Sequence, residues 1–108
     1  MKRYLTFIEQ SNHINEQFKL GDREIKLLDL VGNAYCSRHI IFVGDLISNR
    51  NIASQATLHA TLKKLIHKKL LCVKTDTDDG RVKIVTLTKQ ALDRYKNLNI
   101  ALDGKAFK

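Results

Sequence analysis

The chain has 108 residues, of which 44% are hydrophobic and 28% are charged. This composition is ordinary for a folded protein with one core and argues against intrinsic disorder. The formal net charge of +8 favours a polyanionic partner such as nucleic acid or an anionic membrane, although a basic surface can also serve solubility alone. We expect one domain over residues 1–108.

Two further features narrow the class of protein. No apolar run approaches the roughly 20 residues that span a bilayer, and the N-terminal segment meets Glu9 and Gln10 too early for a secretory signal. Cys36 and Cys72 are too few and too far apart for a disulfide framework. We therefore expect a cytoplasmic protein with reduced thiols.

The N-terminal third is predicted to form two helices. The first covers about residues 3–19 and ends near Gly21. Asp22 is a good N-cap for the second, over about residues 23–36, whose broad apolar face favours a central position. The apolar stripe of the first helix consists of Tyr4, Ile8, Ile14 and Phe18.

The middle of the chain has the pattern of two helices joined by a turn. Residues 37–41 are predicted to form a loop or a short strand, and residues 43–48 a short helix. Asparagines at 49 and 51 favour a turn, since asparagine tolerates unusual backbone angles. Ser54 then caps a longer helix whose inward stripe is Leu58, Leu62 and Leu65.

A period of two residues replaces the helical period after this helix. Alternation over residues 71–75 and 82–87 predicts two antiparallel strands, with a turn at 76–80 where Gly80 is free to adopt positive φ. Thr88 caps a last helix over about residues 89–102. Its predicted inward residues are Ala91 or Leu92, Tyr95, Leu98 and Leu102.

This order predicts a mainly α fold with a small β-hairpin, that is, a winged helix-turn-helix flanked by N- and C-terminal helices. The helix-turn-helix would occupy about residues 43–69 and the wing about residues 71–87. The geometry of that arrangement suits duplex DNA, because the capped helix fits the major groove while the hairpin reaches the backbone or minor groove beside it.

The charge distribution supports the same interpretation. Residues 46–75 contain no Asp or Glu, so a positive field surrounds the capped helix, and neutralising phosphates there would make binding salt-dependent. Lysines on an exposed helix are also commonly only solvated. The basic residues and histidines of this stretch are Arg50, His59, Lys63, Lys64, His67, Lys68, Lys69 and Lys74.

The start of the capped helix carries side chains suited to DNA. Ser54 and Thr57 can donate to phosphate oxygens, although Thr57 can equally be half-buried at the helix-turn-helix junction. Gln55 can pair with an adenine edge or remain solvated, and Ala56 leaves room for a thymine methyl. His59 projects one turn further along.

At these residues the sequence resembles the MarR-type (multiple antibiotic resistance regulator) winged-helix repressors. The resemblance covers about residues 20–95 and is carried by Leu58-x-x-x-Leu62-x-x-Leu65, Leu70-Leu71 and the wing segment from Asp76 through Asp79-Gly80-Arg81 to Leu87-Thr88. It implies that Arg81 is the groove-facing wing residue, oriented by Asp76 or Asp79. Three positions depart from the family pattern: Asp78 replaces a wing arginine, Ala60 a base-contacting arginine, and Lys69 a glycine before the wing strand.

The candidate DNA-binding residues share exposure on the capped helix or the wing. They are Ser54, Gln55, Ala56, Thr57, His59, Lys63, Lys64, Arg81 and Lys83.

The resemblance also implies a homodimer, although only one helix follows the wing where the family has two. The terminal helices would supply the interface, or their apolar side chains fold back onto the core. The residues concerned are Tyr4, Phe7, Ile8, Phe18, Leu98 and Leu102.

Other chemistry is not indicated. Cys36 and His39 lack the second ligand pair of a zinc site, and no nucleophile elbow or phosphate-binding glycine loop occurs. We expect no cofactor, no metal and no enzymatic activity.

The first hypothesis is a dimeric, sequence-specific transcriptional regulator binding double-stranded DNA, with an undetermined effector. A winged-helix protein-interaction module and a replication or partition factor of a mobile element are the alternatives.

Overall fold

The computed structural model describes residues 1–76, 80 and 82–103. The helices and strands follow one another along the chain in the order that the sequence periods predict. The helices are α1 (Lys2–Gln17), α2 (Asp22–Cys36), α3 (Val43–Ile47), α4 (Gln55–His67) and α5 (Lys89–Leu102). The strands are β1 (Ile41–Phe42), β2 (Leu71–Thr75) and β3 (Lys83–Leu87). The predicted mainly α fold with a small β-hairpin is confirmed.

The hairpin is extended to a three-stranded antiparallel sheet in the described residues, with the order β1-β3-β2. Val85 sits in the central strand, opposite Val73 on one side and Ile41 on the other. The segment predicted as a loop or short strand therefore supplies an edge strand. Its two residues anchor the chain between α2 and α3 to the base of the wing.

Hydrogen-bonding side chains start two of the helices as predicted. Ser54 Oγ accepts the backbone N–H of Thr57 at 3.3 Å, and Thr88 Oγ1 accepts that of Ala91 at 3.2 Å. The prediction that Asp22 caps α2 is wrong, because Gly21 is the cap residue and Asp22 is the first helical residue. There Glu24 Oε1 accepts the Gly21 N–H at 3.3 Å, which holds the start of the helix.

The core lies where α2, α4 and the sheet meet. Leu58, Leu62 and Leu65 of α4 are buried, as predicted. They belong to one cluster with side chains from α2, α3, the sheet and α5. The remaining members of the cluster are Leu27, Leu28, Val31, Leu46, Leu70, Leu71, Val85 and Ala91. Burying one face of α4 in this way fixes which face remains outside.

The terminal helices pack differently from the prediction. Leu102, predicted to face inward, is 56% exposed, whereas Arg94 of α5 is only 1% exposed. Arg94 donates from Nε and Nη2 to Asn15 Oδ1 of α1, at 3.2 and 2.6 Å. One amide oxygen thus receives two guanidinium donors between α1 and α5, and the apolar stem of the arginine is buried between these helices.

Tyr95 fixes α5 against α2. Its hydroxyl donates to Asp29 Oδ1 at 2.6 Å, and a Cβ on Gly32 would lie only 3.1 Å from the Tyr95 hydroxyl oxygen. Burial raises the pKa of Tyr95 above its ordinary value, and the hydrogen bond to Asp29 and the charge of that carboxylate raise it further. The phenol is therefore stabilised in its neutral form by the folded structure.

Replacing Tyr95 with Phe should lower the free energy of unfolding by about 1 kcal/mol at neutral pH, because Asp29 loses its hydrogen bond from the Tyr95 hydroxyl. The raised pKa means that the unfolded chain ionises Tyr95 first, so the contribution is complete below about pH 10 and is lost as the pH rises further. Urea denaturation of both proteins at neutral and alkaline pH measures this. A difference between them that stays constant above about pH 10 would contradict the assignment.

Three helices end on a basic residue in the left-handed region. Lys19, Arg38 and Lys69 have φ of 55°, 57° and 63°, and each follows the last residue of its helix by two positions. At the end of α4 the Leu70 N–H donates to Leu65 O at 3.0 Å and the Lys69 N–H to Ile66 O at 2.9 Å. Glycine is the usual residue at this position of the motif, because any side chain there costs roughly 1–2 kcal/mol.

Replacing Arg38 with Gly should raise the free energy of unfolding by about 0.5–1 kcal/mol, the relief of strain exceeding the entropy that glycine loses on folding. Lys26→Gly, at an exposed interior position of α2, is the matched control and should lower stability by about 1 kcal/mol. Urea denaturation compares the two. Destabilisation by Arg38→Gly would show that the left-handed conformation is not strained there.

Candidate nucleic-acid interface

One face of α4 is open to solvent along its whole length. The buried stripe is Leu58, Thr61, Leu62 and Leu65. A period of about 3.6 residues per turn places four exposed residues opposite that stripe. They are Ala56, Ala60, Lys63 and His67. Two methyl side chains therefore lie at the middle of the face, with a cation and an imidazole further along it, so another surface can approach the helix closely.

The predicted contact residues lie on or beside this face. Ser54, Gln55, His59 and Lys64 are exposed, and Thr57 is half-buried. Gln55 and His59 share one flank of the face, while Thr57 and Lys64 lie on the other. The exposure that DNA contact requires is therefore present at every predicted α4 position, with Thr57 the least accessible.

The cap also determines which hydroxyl at the start of α4 is free to donate. Ser54 Oγ donates to Thr57 Oγ1 at 2.9 Å while it accepts the Thr57 N–H. The proton of Ser54 is thus engaged within the cap, whereas the Thr57 hydroxyl keeps its own proton. The backbone N–H groups of Gln55 and Ala56 belong to the first turn and have no intrahelical acceptor. Together these donors favour an anion such as a phosphate at the helix start.

The basic residues around α4 differ in how freely their charge is presented. Lys68 is engaged, because its Nζ lies 2.6 Å from Glu24 Oε2 and donates to Lys19 O at 2.5 Å. Lys64 shares a shallow depression with Asp22 and Glu24 at the start of α2. The negative charges of these two carboxylates therefore reduce the positive potential around Lys64. Within the described residues Lys63 forms no ion pair, and it presents an unpaired positive charge on the open face.

The hairpin contributes Lys83 and Lys74, both exposed. Lys83 lies opposite Thr75, while Lys74 lies opposite Ile84. Because neighbouring residues of a strand point to opposite faces, the two lysines project from opposite sides of the hairpin. The proposed wing contact Arg81, together with Asp78 and Asp79, lies outside the described residues.

Sequence reasoning missed one member of the exposed face. His67 follows Lys63 by four residues, so the helical period alone places both on one side. The same period places Ala60 on this face with Ala56. Counting outward from the buried leucines would have identified His67 as well.

Metal-binding and membrane-spanning features do not accompany the α4 face in the described ranges. These ranges contain no group of three or more His, Cys, Asp or Glu side chains placed to hold a metal ion. Cys36 is exposed and Cys72 half-buried, both as free thiols. In the same part of the chain no helix combines the length and apolar character needed to cross a membrane.

Solved structures with this architecture include regulators of transcription. The DNA complex of MepR from S. aureus superimposes with a TM-score of 0.74 at 19% identity, covering 89% of this chain and 69% of MepR. A transcriptional regulator from Thermotoga maritima gives 0.71 at 13% identity, covering 94% of this chain and 67% of that one. The chain has the MarR-type winged-helix fold. No protein-family model and no curated protein matches the sequence.

The MarR-type likeness spans most of this chain but not the whole of its neighbours. The crystal structure of a MepR point mutant from a multidrug-resistant S. aureus clinical isolate has a TM-score of 0.72 at 19% identity. It is matched over 87% of this chain and 66% of its own length, so the present chain spans about two thirds of that structure. Another MepR structure, bound to ethidium bromide, has a TM-score of 0.70 at 18% identity. At these identities the likeness establishes the fold, and the function has to be argued from the site.

Proposed function

We propose that this protein is a sequence-specific transcriptional regulator of MarR-like type that binds double-stranded DNA as a homodimer. The observation that carries the proposal is the open face of α4, with its small residues at the centre, its free Lys63 and its uncapped N–H donors. A MarR-type neighbour was solved in complex with DNA. The whole chain would act as a single winged-helix domain in the cytoplasm, without enzymatic activity or cofactor.

Each α4 residue has a role that its chemistry suits. Gln55 forms a bidentate pair with an adenine edge, and Ala56 contacts a thymine methyl. Lys63 and Lys64 neutralise phosphates, as does Thr57 through its free hydroxyl. His59 lies beside Gln55 on the flank of the reading face and contacts the next base or phosphate.

The wing would contribute a second set of contacts. Lys83 is exposed at the start of β3, where its ammonium group reaches a phosphate. The resemblance assigns groove contact to Arg81, two residues earlier. Contacts from the wing beside the recognition helix would position the helix in its groove, because backbone contacts fix register without reading sequence.

The dimer would form at the contact between the first turn of α1 and the last turn of α5. Arg3 Nη2 donates to Leu102 O at 3.4 Å, which places the start of α1 beside the end of α5. Tyr4, Leu5 and Leu102 are 64%, 54% and 56% exposed there. An exposed apolar patch of this kind on terminal helices favours a partner helix. Phe18, included in the interface by the sequence, packs instead against the core cluster.

Lys63→Ala should weaken binding about fivefold near 0.15 M salt and reduce the slope of log affinity against log salt by about 0.9, because one phosphate is no longer neutralised.

Gln55→Ala should cost about 1–3 kcal/mol of discrimination at one base pair while affinity for other sequences changes little. Fluorescence anisotropy with duplexes selected from a random pool measures both.

Lys26→Ala, which removes an exposed charge from α2, is the matched control and should change neither quantity. Unchanged binding by the Lys63 and Gln55 variants would reject α4 as the reading helix. If both variants lost affinity at every salt concentration but kept the same preferred sequence, non-specific binding would be favoured instead.

Leu5→Glu should convert the dimer to a monomer, because a carboxylate would be buried without a partner in an apolar interface. Sedimentation equilibrium measures the mass. Tyr35→Glu introduces the same charge at another exposed aromatic position, on α2, and should leave the dimer intact. A dimer that survives Leu5→Glu and dissociates with Tyr35→Glu would move the interface to the α2 surface.

A further inference from the structure

A second basic surface lies at the far end of α4 from its cap. It consists of Lys19, Lys69 and Lys89, which belong to three different segments. Lys68 Nζ donates to Lys19 O, which ties the end of α1 to the end of α4. The Thr88 hydroxyl donates to Lys69 O at 2.7 Å, and Lys89 follows Thr88 directly. Specific hydrogen bonds therefore bring three exposed lysines to one end of the helix.

The backbone at this surface is strained in a way that glycine would relieve. Lys19 and Lys69 both have positive φ, although glycine adopts that conformation without strain. Strained residues that persist in a fold are a reason to look for function in the side chain that they carry. The side chains here are exposed ammonium groups, so their charge is the property that a glycine would remove.

The charge of this surface is not cancelled from within the molecule. Glu24, the nearest carboxylate shown by contact, is bound by Lys68. Glu16 precedes Lys19 on α1 and Asp93 follows Lys89 on α5, both exposed. Within the described part of the chain neither pairs with Lys19, Lys69 or Lys89. The three ammonium groups therefore remain available to an external anion.

We propose that the Lys19–Lys69–Lys89 surface binds backbone phosphates of duplex DNA that flanks the sequence read by α4. The 13 residues of α4 span about 20 Å, at about 1.5 Å per residue, so the two ends of the helix face different stretches of a duplex. His67, on the open face, lies two residues before Lys69 at the same end of α4. The inference rests on the proposed DNA-binding function and extends its footprint beyond the recognition helix.

The double variant Lys19→Gly/Lys69→Gly tests the inference through two readouts of opposite sign. Its urea midpoint should rise, because both left-handed positions are relieved. Its affinity for a duplex with long flanks should fall about 25-fold near 0.15 M salt, at about fivefold for each phosphate that is no longer bound. The salt slope should fall by about 1.8, since each bound phosphate adds about 0.9. A duplex trimmed to the selected sequence should be bound as tightly as by wild type.

Arg38→Gly is the matched control. It relieves one left-handed position and removes one positive charge, as each half of the double variant does, but at the opposite end of α2 from the Lys68–Glu24 ion pair. It should raise the urea midpoint and leave both affinities unchanged. This control separates the effect of the position from that of net charge.

Equal binding of the long duplex by the double variant and wild type would overturn the proposal, as would an equal loss from Arg38→Gly. Equal losses on long and trimmed duplexes would also overturn it, because the lysines would then contact the read sequence itself. The proposed function fails by a different result, namely unchanged binding of the trimmed duplex by Lys63→Ala and Gln55→Ala.

Discussion

The burial of one leucine stripe of α4 is the constraint from which the rest of this structure follows. Leu58, Leu62 and Leu65 pack into the cluster formed with α2 and the sheet. Each fully buried leucine contributes about 1.5–3 kcal/mol by its removal from water. No polar side chain of the helix has to be buried without a partner, since the one polar residue in the stripe, Thr61, donates to Thr57 O at 2.9 Å. The opposite face is thereby left free to contact another molecule.

Polar contacts then position this helix rather than supply most of its stability. The Ser54 hydroxyl fixes where α4 begins, and the Lys68–Glu24 pair fixes where its other end sits against α2. The Ser54 hydroxyl and the Lys68 ammonium group are therefore engaged within the protein, although a count of charges and donors in the sequence would assign both to DNA. Fewer side chains than the sequence suggests therefore present a free positive charge around α4, and Lys63 is the foremost of them.

The terminal helices α1 and α5 depend more on polar contacts, and less on apolar packing, than α4 does. Apolar stripes are short on α1 and α5, so α5 is joined to α1 through Arg94 and Asn15 and to α2 through Tyr95 and Asp29. Such contacts depend on geometry more than apolar packing does, because a misplaced buried guanidinium or phenol loses its partner entirely. The apolar residues that remain, Tyr4, Leu5 and Leu102, lie outside this contact. This arrangement holds the helices together and still leaves an apolar patch exposed.

The sequence by itself determined the element order, the capped helix α4, the hairpin and the leucines beneath them. Each of these depends on a local rule: a period of 3.6 or 2, a capping hydroxyl, or a glycine in a turn. Tertiary structure decided that Arg94 is buried in α5, that Lys68 is engaged by Glu24, and that Lys19, Lys69 and Lys89 lie at one end of α4. These facts depend on residues separated by many positions in the chain, and no local pattern encodes which distant partner a charged side chain will meet.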